Sequence, residues 1–235
     1  MKGSLNGIRA ILFDAGGTLI DLDSSRICDL ISTELGIEPL PDRFPRAQCL
    51  AGFRIGQLIA SGAKSTEKLF KEYYTTLLTE IGAPQEKLAA GLERILELSK
   101  SEMLWRKTAD STASILAELK ERGLRLGVVS NSDGRIESVF KQLGLADYFD
   151  LIIDSFVVGV EKPDPGIFRL AVERASVAPQ EAAYVGDLYS VDVIGARRAN
   201  LIPVLYDPFG LNQSADCLRI SAMSDLIGLI EEGKS

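Results

Sequence analysis

The sequence contains no histidine, and this absence removes two common kinds of catalytic site before any motif is considered. Serine and cysteine nucleophiles that rely on a neighbouring histidine are excluded, and so are histidine general bases. Any catalysis by this chain must therefore rest on carboxylates, lysine, hydroxyl groups, backbone amides or a bound metal ion.

Cysteine is scarce, with three widely spaced residues: Cys28, Cys49 and Cys217. An odd number of cysteines at such spacings fits neither a disulfide framework nor a zinc site. We therefore interpret the three thiols as buried structural side chains.

Positive charge and long apolar runs are lacking as well. The 26 basic residues are outnumbered by 33 acidic ones, and the net charge of −7 argues against a surface that binds nucleic acid. The longest apolar runs fall far short of the ~20 residues that span a bilayer. Residues 1–4 lack the apolar region of a signal peptide, so we expect a cytoplasmic protein with no membrane contact.

The stretch from residue 8 to residue 20 organises the rest of the chain. Its apolar run Ile8–Phe13 is typical of a strand buried on both faces, and Asp14 follows at the point where open α/β sheets bind their ligands. Gly16 and Gly17 allow a sharp turn and a close approach of the backbone to an anion. Asp14 is therefore the first candidate for a catalytic carboxylate.

Helical periodicity dominates from about residue 24 to residue 100, and no strand pattern interrupts it. A serine of the segment 21–25 is predicted to cap the first helix, and Gly36 is predicted to end it. Short connections between the helices indicate a small bundle. The four predicted helices cover about 26–35, 46–60, 65–81 and 85–99.

Helix and strand patterns alternate in the remainder of the chain. This alternation predicts an α/β fold with a Rossmann-like, doubly wound parallel sheet and helices on both faces, which the Ile8–Phe13 strand must join. We predict a core domain of residues 1–22 and 103–235, with an all-helical domain of residues 23–102 inserted into it. The predicted strands lie near 124–129, 151–153, 182–185 and 202–205, and the predicted helices near 110–121, 135–143, 165–175, 191–200 and 224–232.

Two of the later strand ends offer groups that suit a phosphate. Ser130 and Asn131 bring a hydroxyl and backbone amides to the start of a helix, an arrangement that favours a phosphate oxygen. Lys162 precedes another helix, whose entry is stiffened by Pro163 and Pro165. A lysine held in this way can neutralise a phosphoryl group and an adjacent carboxylate.

A third strand end carries two more carboxylates. Asp187 follows a predicted strand, and Asp192 comes five residues later in the next predicted helix. Asp14 and Asp187 at neighbouring strand ends provide hard oxygen ligands, and Mg²⁺ prefers one or two carboxylates together with waters and substrate oxygens. With such a site, Asp14 can attack phosphorus and form an aspartyl-phosphate.

These four stretches, in this order, resemble the four motifs of the haloacid dehalogenase (HAD) superfamily over essentially the whole chain, and the insertion resembles that family's helical cap. Two stretches carry the resemblance most specifically, and both are similar to those of small-molecule phosphatases: Lys162-Pro163-Asp164-Pro165-x-x-Phe168 and Val185-Gly186-Asp187-x-x-x-x-Asp192-x-x-Gly195-Ala196. The resemblance implies a Mg²⁺-dependent phosphatase that hydrolyses a small phosphorylated metabolite through an aspartyl-phosphate.

The resemblance also implies a role for each matching residue. The implied roles are Asp14 as nucleophile and Mg²⁺ ligand, Ser130 as the phosphate-binding hydroxyl, Asn131 as an assisting backbone amide, Lys162 as the charge-neutralising residue, Asp187 as the second Mg²⁺ carboxylate and Asp192 as the outer partner that orients Lys162 or a metal-bound water.

One position departs from the family pattern. Two residues after the nucleophile, phosphatases of the family carry a second aspartate that protonates the leaving group and later activates water, whereas this chain has Gly16. The metal-binding role of that position is retained in the resemblance, because it uses the backbone carbonyl. The general acid–base group is missing, and such a group is typically worth ~10²–10⁴-fold in rate.

Four interpretations follow from this departure, and the first is favoured. The chain is a phosphatase for good leaving groups, or one that borrows an acid from Asp21, Asp23 or elsewhere in the cap. Alternatively it is a phosphonate hydrolase, a metal-independent dehalogenase, against which Asp187 argues, or a catalytically weak protein that binds Mg²⁺ with a phosphometabolite or a protein partner. Phosphonate hydrolysis would require a Schiff-base lysine from the cap, where the available residues are Lys64, Lys68, Lys71 and Lys87.

Overall fold

The computed structural model describes residues 4–231 and divides the chain into two compact units. The core unit comprises Met1–Ile20 and Thr108–Ser235, and the helical unit comprises Asp21–Lys107. The assignment of separate domain roles, with boundaries after residue 22 and before residue 103, stays a prediction. Residues 1–3, on which part of the expected localisation rests, and Glu232, the predicted end of the last helix, lie outside the described residues.

Eight strands and ten α-helices make up the described part of the chain, together with short 3₁₀ turns. In chain order they are β1 Ala10–Phe13, β2 Asp21–Leu22, α1 Ser24–Leu35, α2 Phe44–Ala60, α3 Thr66–Glu80, α4 Leu88–Ser101, β3 Trp105–Lys107, α5 Thr112–Glu121, β4 Arg125–Ser130, α6 Ile136–Gln142, β5 Leu151–Asp154, α7 Ser155–Val158, α8 Pro165–Ala175, β6 Ala182–Gly186, α9 Ile194–Arg198, β7 Ile202–Tyr206, β8 Leu218–Ile220 and α10 Asp225–Glu231.

The core unit contains the predicted parallel sheet. Its six strands pair in parallel in the order β5-β4-β1-β6-β7-β8, with β1 near the centre. All four residues of β1 are buried, as expected for a strand that is covered on both faces. On one face Leu12 and Tyr184 pack in a cluster with Phe168 of α8, and on the other Phe13 lines a small apolar pocket with Leu116 of α5.

Strand register brings the predicted site residues to one edge of this sheet. Phe13 of β1 lies opposite Val128 of β4 and Val185 of β6. Because the strands are parallel, the residues that follow these positions emerge at the same carboxyl edge. Ser130, Asp14 and Asp187 therefore lie side by side at the ends of the adjacent strands β4, β1 and β6. Of these neighbours, the sequence predicted Asp14 and Asp187.

The helical unit is built from α1 to α4 around its own apolar core, and β2 and β3 form a small antiparallel pair within it. The predicted serine cap of α1 is wrong. Asp23 is the cap, because its Oδ1 accepts the backbone N–H of Arg26 at 3.2 Å, while Ser25 donates its hydroxyl to the same oxygen at 2.7 Å. Gly36 ends α1 with a φ of 57°, which confirms the predicted terminator.

Most predicted elements are found within a few residues of their expected positions, and the differences have local causes. The helix expected at 191–200 begins instead with a wide π-helical turn, Tyr189–Val193, before α9 continues the chain. The carboxylate of Asp192 accepts the N–H of Leu188 at 2.9 Å, which stabilises this wider turn. Four short elements were not predicted: β2, β3, β8 and α7. Each has only two to four residues, which is too few to show a periodic pattern.

Among the described residues, none of the helices combines the length and the hydropathy that crossing a bilayer requires.

Candidate active site

Asp14 is fixed at the carboxyl end of β1 and is followed by a tight loop. Its backbone N–H donates to the carbonyl of Val185 at 2.8 Å, and its side chain is buried. The carbonyl of Ala15 accepts the N–H groups of Thr18, Leu19 and Ile20 at 2.9–3.2 Å. These bonds close the loop and hold the carboxylate of Asp14 at the edge of the sheet.

Gly17 is required by this loop for two reasons. Its φ of 79° lies in the left-handed region that side chains disfavour. In addition, a Cβ at this position would lie 2.6 Å from Oδ2 of Asp187, closer than real contacts allow. The loop that follows Asp14 therefore lies too close to Asp187 for any residue other than glycine at position 17. Gly16 lies within the same loop and forms an isolated bridge with Ile20.

Lys162 stands at the centre of the site with all three of its ammonium protons engaged. Nζ lies 2.5 Å from Oδ1 of Asp14, 2.8 Å from Oδ1 of Asp192 and 2.8 Å from the hydroxyl of Tyr184. The Tyr184 hydroxyl in turn donates to the carbonyl of Val129 at 2.9 Å. A bond from Lys162 to a substrate oxygen must therefore replace one of these three bonds, since an ammonium group has three donors.

The backbone of Lys162 is held as firmly as its side chain. Oδ1 of Asn131 accepts its N–H at 2.8 Å, and Nδ2 of Asn131 donates to its carbonyl at 2.9 Å. The next helix, α8, is capped by Asp164, whose Oδ1 accepts the N–H of Gly166 at 2.7 Å. The Asn131 side chain thus fixes Lys162, which is a different task from the backbone-amide contact expected from the sequence.

Asp192 and Asp187 differ in how their oxygens are used. Both oxygens of Asp192 accept hydrogen bonds, one from Lys162 and one from the N–H of Leu188. Asp187 Oδ1, by contrast, is buried without a hydrogen-bond partner among the described residues. A Cβ on Gly186 would lie 2.4 Å from Cγ of Asp192, so glycine at this position lets the backbone pass beside that carboxyl group.

Burial and the repulsion between neighbouring carboxylates shift the pKa values of the site residues. Burial is the main cause that raises the pKa of Asp14 to about 6, with the charge of Asp192 adding to it and Lys162 opposing it. Burial and the charges of Asp14 and Asp192 raise the pKa of Asp187 well above its usual value. Burial acts to lower the pKa of Lys162, but the charges of Asp14 and Asp192 outweigh it and keep that pKa well above normal. Lys162 is therefore a permanent cation that these carboxylates have to share.

These residues fit a divalent cation. One carboxylate oxygen from each of Asp14, Asp187 and Asp192 lies within 4.8 Å of the others. Asp192 is already occupied by Lys162 and Leu188, so Asp14 and Asp187 remain as donors. Hard carboxylate oxygens, one of them buried and unpartnered, are what Mg²⁺ prefers.

Ser130 ends β4 and is buried beside β1. The loop that follows it is held by Asp154, a buried residue that sequence reasoning missed. The carboxylate of Asp154 accepts the N–H groups of Gly134 at 2.9 Å and of Phe156 at 3.0 Å. The sequence contains a signal for it, because Asp154 follows an apolar run as the other strand-end carboxylates do. Tyr184 was also missed, and nothing in its local pattern distinguishes it from an ordinary core aromatic residue.

Comparison with known proteins agrees with this architecture. The model of the haloacid dehalogenase-like hydrolase family matches residues 8–200. Glyceraldehyde 3-phosphate phosphatase of Methanopyrus kandleri is 30% identical over 207 residues, which cover 84% of this chain and 83% of that protein. The crystal structure of a HAD phosphatase from Thermococcus onnurineus superimposes with a TM-score of 0.58 at 26% identity, covering 94% of this chain and 97% of that one.

Another relative matches a shorter part of the chain at a higher sequence identity. Haloacid dehalogenase-like hydrolase domain-containing protein 3 of Mus musculus is 39% identical over 109 residues, or 46% of this chain. That match covers 43% of the mouse protein, so the chain spans less than half the length of this relative. Together with the family match over residues 8–200 and the parallel sheet, these similarities show that the chain belongs to the haloacid dehalogenase-like hydrolase family.

Proposed function

We propose that the chain is a Mg²⁺-dependent phosphatase that hydrolyses a small phosphorylated metabolite through an aspartyl-phosphate on Asp14. The observation that carries this proposal is the ion pair of Lys162 with Asp14 beside the unpartnered buried oxygen of Asp187. The phosphatase name of a relative that is similar over 84% of the chain adds support. We further propose that the helical unit is the cap domain that selects the substrate.

The proposed metal ligands are the carboxylates of Asp14 and Asp187 and the backbone carbonyl of Gly16. Mg²⁺ bound there supplies positive charge that draws the phosphoryl oxygens towards the carboxylates, which would otherwise repel an anionic substrate. On the opposite side, Ser130 offers a buried hydroxyl and Asn131 a backbone N–H to the phosphate. Lys162 neutralises Asp14 before the substrate arrives.

The proposed reaction has two steps at phosphorus. The carboxylate oxygen of Asp14 that Lys162 does not hold attacks the phosphorus atom, and the bond to the leaving oxygen breaks with its electron pair. Water then attacks the same phosphorus, releases inorganic phosphate and restores the Asp14 carboxylate. Asp192 keeps Lys162 protonated and oriented throughout, because it holds a second ammonium proton.

The proton for the leaving group is the weak point of this site, because Gly16 has no side chain to donate one. Within the helical unit, Asp23 is poorly suited to supply it. Burial alone would raise its pKa, but hydrogen bonds from Ser25, Arg106 and the Arg26 N–H lower it below the usual value. Burial raises the pKa of Asp21 instead, so Asp21 is the better proton donor of the two. The proposed phosphatase should therefore depend strongly on the quality of the leaving group.

Little in the helical unit favours phosphonate hydrolysis. Lys71 pairs with Glu67 at 2.6 Å, and Lys87 donates to the carbonyl of Leu35 at 2.6 Å. Lys64 and Lys68 are exposed. A Schiff-base lysine is usually activated by burial or by a neighbouring cation, and no such environment surrounds these four residues in the described helical unit.

The test of the proposed function is hydrolysis of p-nitrophenyl phosphate with Mg²⁺ and with EDTA, for the native protein and for Asp14→Asn. Asp147→Asn is the matched control, because Asp147 is an exposed aspartate of the core unit. We expect Mg²⁺-dependent turnover in the native protein and in the control, and its loss in Asp14→Asn. Equal turnover in native protein and Asp14→Asn would overturn the proposal.

The same assay with a series of leaving groups tests the role of Gly16. We expect aryl and acyl phosphates to be cleaved much faster than alkyl phosphates at saturating Mg²⁺. Equal rates for alkyl and aryl substrates would mean that another residue supplies the proton, and Asp21→Asn with Asp23→Asn as its control would then identify it.

A further inference from the structure

We infer that the hydroxyl of Tyr184 is a positioning group that fixes Lys162 beside Asp14 and thereby sets the rate of attack on phosphorus. This inference rests on the proposed function, and its experiment is designed to separate the two. Tyr184 has no assigned role in the site, yet it provides the one uncharged acceptor among the three that surround the Lys162 ammonium.

The hydroxyl of Tyr184 makes hydrogen bonds that a residue serving only to fill the core would not need. The residue is 1% exposed, and its hydroxyl accepts from Lys162 at 2.8 Å while it donates to the carbonyl of Val129 at 2.9 Å. A buried hydroxyl is costly unless it is hydrogen-bonded, and this one both donates and accepts. Phenylalanine would fill the same space without this requirement, so the hydroxyl is present for the bonds that it makes.

The path of these bonds joins both strands that flank the nucleophile. Tyr184 lies on β6 and Val129 on β4, and β1 with Asp14 runs between them. Val129 supplies the carbonyl of the peptide group that continues into Ser130, so one hydroxyl links the phosphate-binding strand end with the cation of the nucleophile. The ring itself is held by an edge contact with Phe168 of α8, at a centroid distance of 4.8 Å.

The third bond determines where the ammonium group sits. With three acceptors in place, each Lys162 proton has a fixed direction, and one of them points at Oδ1 of Asp14. Without the Tyr184 hydroxyl, the ammonium would be held by two carboxylates alone and would be free to turn about the remaining contacts. A misplaced cation no longer leaves the second oxygen of Asp14 aligned for attack, and small displacements of this kind are costly in rate.

The inference predicts a loss in kcat rather than in KM. All three Lys162 protons are used within the protein, so Lys162 is not free to hold the substrate in the ground state. Tyr184→Phe should therefore lower kcat by about 10- to 100-fold at saturating Mg²⁺, the loss typical when a hydrogen-bonding residue behind the ligands of a metal site is removed. KM should stay within about twofold, because ground-state binding is not affected.

Phe140→Leu is the control variant, since it removes a different buried ring contact of the core unit, the edge contact of Phe140 with Phe149 at 5.2 Å, and leaves both Tyr184 and Phe168 in place. It should lower the melting temperature and leave kcat within about twofold of the native value. An unchanged kcat in Tyr184→Phe, or an equal loss of kcat in Phe140→Leu, would show that the Tyr184 hydroxyl has no specific effect on the reaction, and the inference would then fail.

A second measurement does not depend on turnover. ¹⁵N NMR of lysine side chains should show one ammonium group whose protons exchange slowly with water, assigned to Lys162 by its disappearance in Lys162→Met. Slow exchange should be lost in Tyr184→Phe and retained in Phe140→Leu. If the native protein has no phosphatase activity, the proposed function fails while this signal still decides the contact. Fast exchange of the Lys162 ammonium in the native protein would overturn the inference even if Tyr184→Phe did not fold.

Discussion

The core unit and the helical unit each have an aspartate with a buried carboxylate oxygen near a strand end, and the surroundings of the two carboxylates differ in opposite ways. In the helical unit, Asp23 accepts hydrogen bonds from Ser25, Arg26 and Arg106, which overcome the effect of burial and lower its pKa. In the core unit, Oδ1 of Asp187 has no hydrogen-bond partner within residues 4–231, and burial raises the pKa of this carboxyl group. A carboxylate whose acceptors are filled stabilises the fold, whereas one left unfilled is available to a ligand.

The ion pairs of the two units differ in the same way. Lys162 is 2% exposed and lies between two carboxylates of the core unit. In the helical unit, Lys71 and Glu67 form a pair at 2.6 Å whose side chains are 50% and 77% exposed. Exposed pairs contribute little to stability, but a buried charge that loses its partner is costly. The comparison therefore predicts very different consequences for equivalent substitutions in the two units.

Replacing the lysine of each pair should give the largest contrast. Lys162→Met leaves Asp14 and Asp192 facing each other without a cation and should lower the free energy of unfolding by about 3–5 kcal/mol. Lys71→Met should lower it by about 0.5 kcal/mol or less. Urea denaturation of both variants at neutral pH measures the difference. Similar losses in the two variants would mean that Lys162 is not buried among charges as described.

Introducing the general acid–base carboxylate that the core unit lacks at position 16 should change the reaction rate. In free energy, this effect should be comparable in size to the loss of stability expected for Lys162→Met. Gly16→Asp is expected to raise the turnover of alkyl phosphates by about 10²–10⁴-fold, the usual contribution of a general acid–base group. Aryl phosphates should gain much less, since their leaving groups need no proton. The measurement is kcat for both substrate types, with Gly17→Asp as a control that should lose activity through its collision with Asp187. No gain for alkyl phosphates would place the limitation in the loop geometry.

Replacing Asp23, whose carboxylate oxygens both accept hydrogen bonds, should destabilise the helical unit moderately. Asp23→Ala deletes the cap of α1 and the partner of Arg106, and the cap alone is worth about 0.5–2 kcal/mol. Thermal unfolding should show this loss equally with Mg²⁺ and with EDTA. A loss that appears only with Mg²⁺ would contradict the structural role assigned to Asp23.

Replacing Asp187, whose Oδ1 accepts no hydrogen bond among the described residues, should have the smallest effect on stability, and the effect should have the opposite sign. In EDTA at pH 8, Asp187→Asn is expected to raise the melting temperature slightly, because Oδ1 of the ionised carboxyl group is buried and accepts no hydrogen bond from the described part of the chain. The folded-state pKa of Asp187 is raised above its unfolded value, so the cost is full at high pH and disappears as the folded state takes up a proton in acid. The advantage of Asp187→Asn should therefore shrink as the pH falls, and the stabilisation that Mg²⁺ gives the native protein should be absent from the variant. A variant less stable than the native protein in EDTA at every pH would contradict this account.

The sequence was sufficient for the parallel sheet, the central place of β1 in it and the clustering of Asp14, Lys162 and Asp187. Each of those features depends on a local pattern, namely an apolar run that ends in a polar residue, and on the rule that parallel strands share a carboxyl edge.

The side-chain contacts that hold the site together were not predictable in this way. Tyr184 meets the carbonyl of Val129 from 55 residues away, and Asn131 meets Lys162 from 31 residues away. Local periodicity contains no information about such pairings, because they depend on how side chains of distant strands meet. The cap of α1 failed for a smaller reason: Asp23 and Ser25 are both good capping residues, and the choice between them depends on Arg106, which lies 83 residues away.

The most direct test of the central claim is to trap the phosphoryl group on Asp14. Native protein mixed with p-nitrophenyl phosphate and Mg²⁺ is quenched in acid within its first turnover, digested and examined by mass spectrometry. The account predicts an acid-stable, hydroxylamine-sensitive phosphoryl group on the peptide that contains Asp14, and none in Asp14→Asn. Turnover by the native protein with the phosphoryl group on another residue, or sustained turnover by Asp14→Asn, would contradict it.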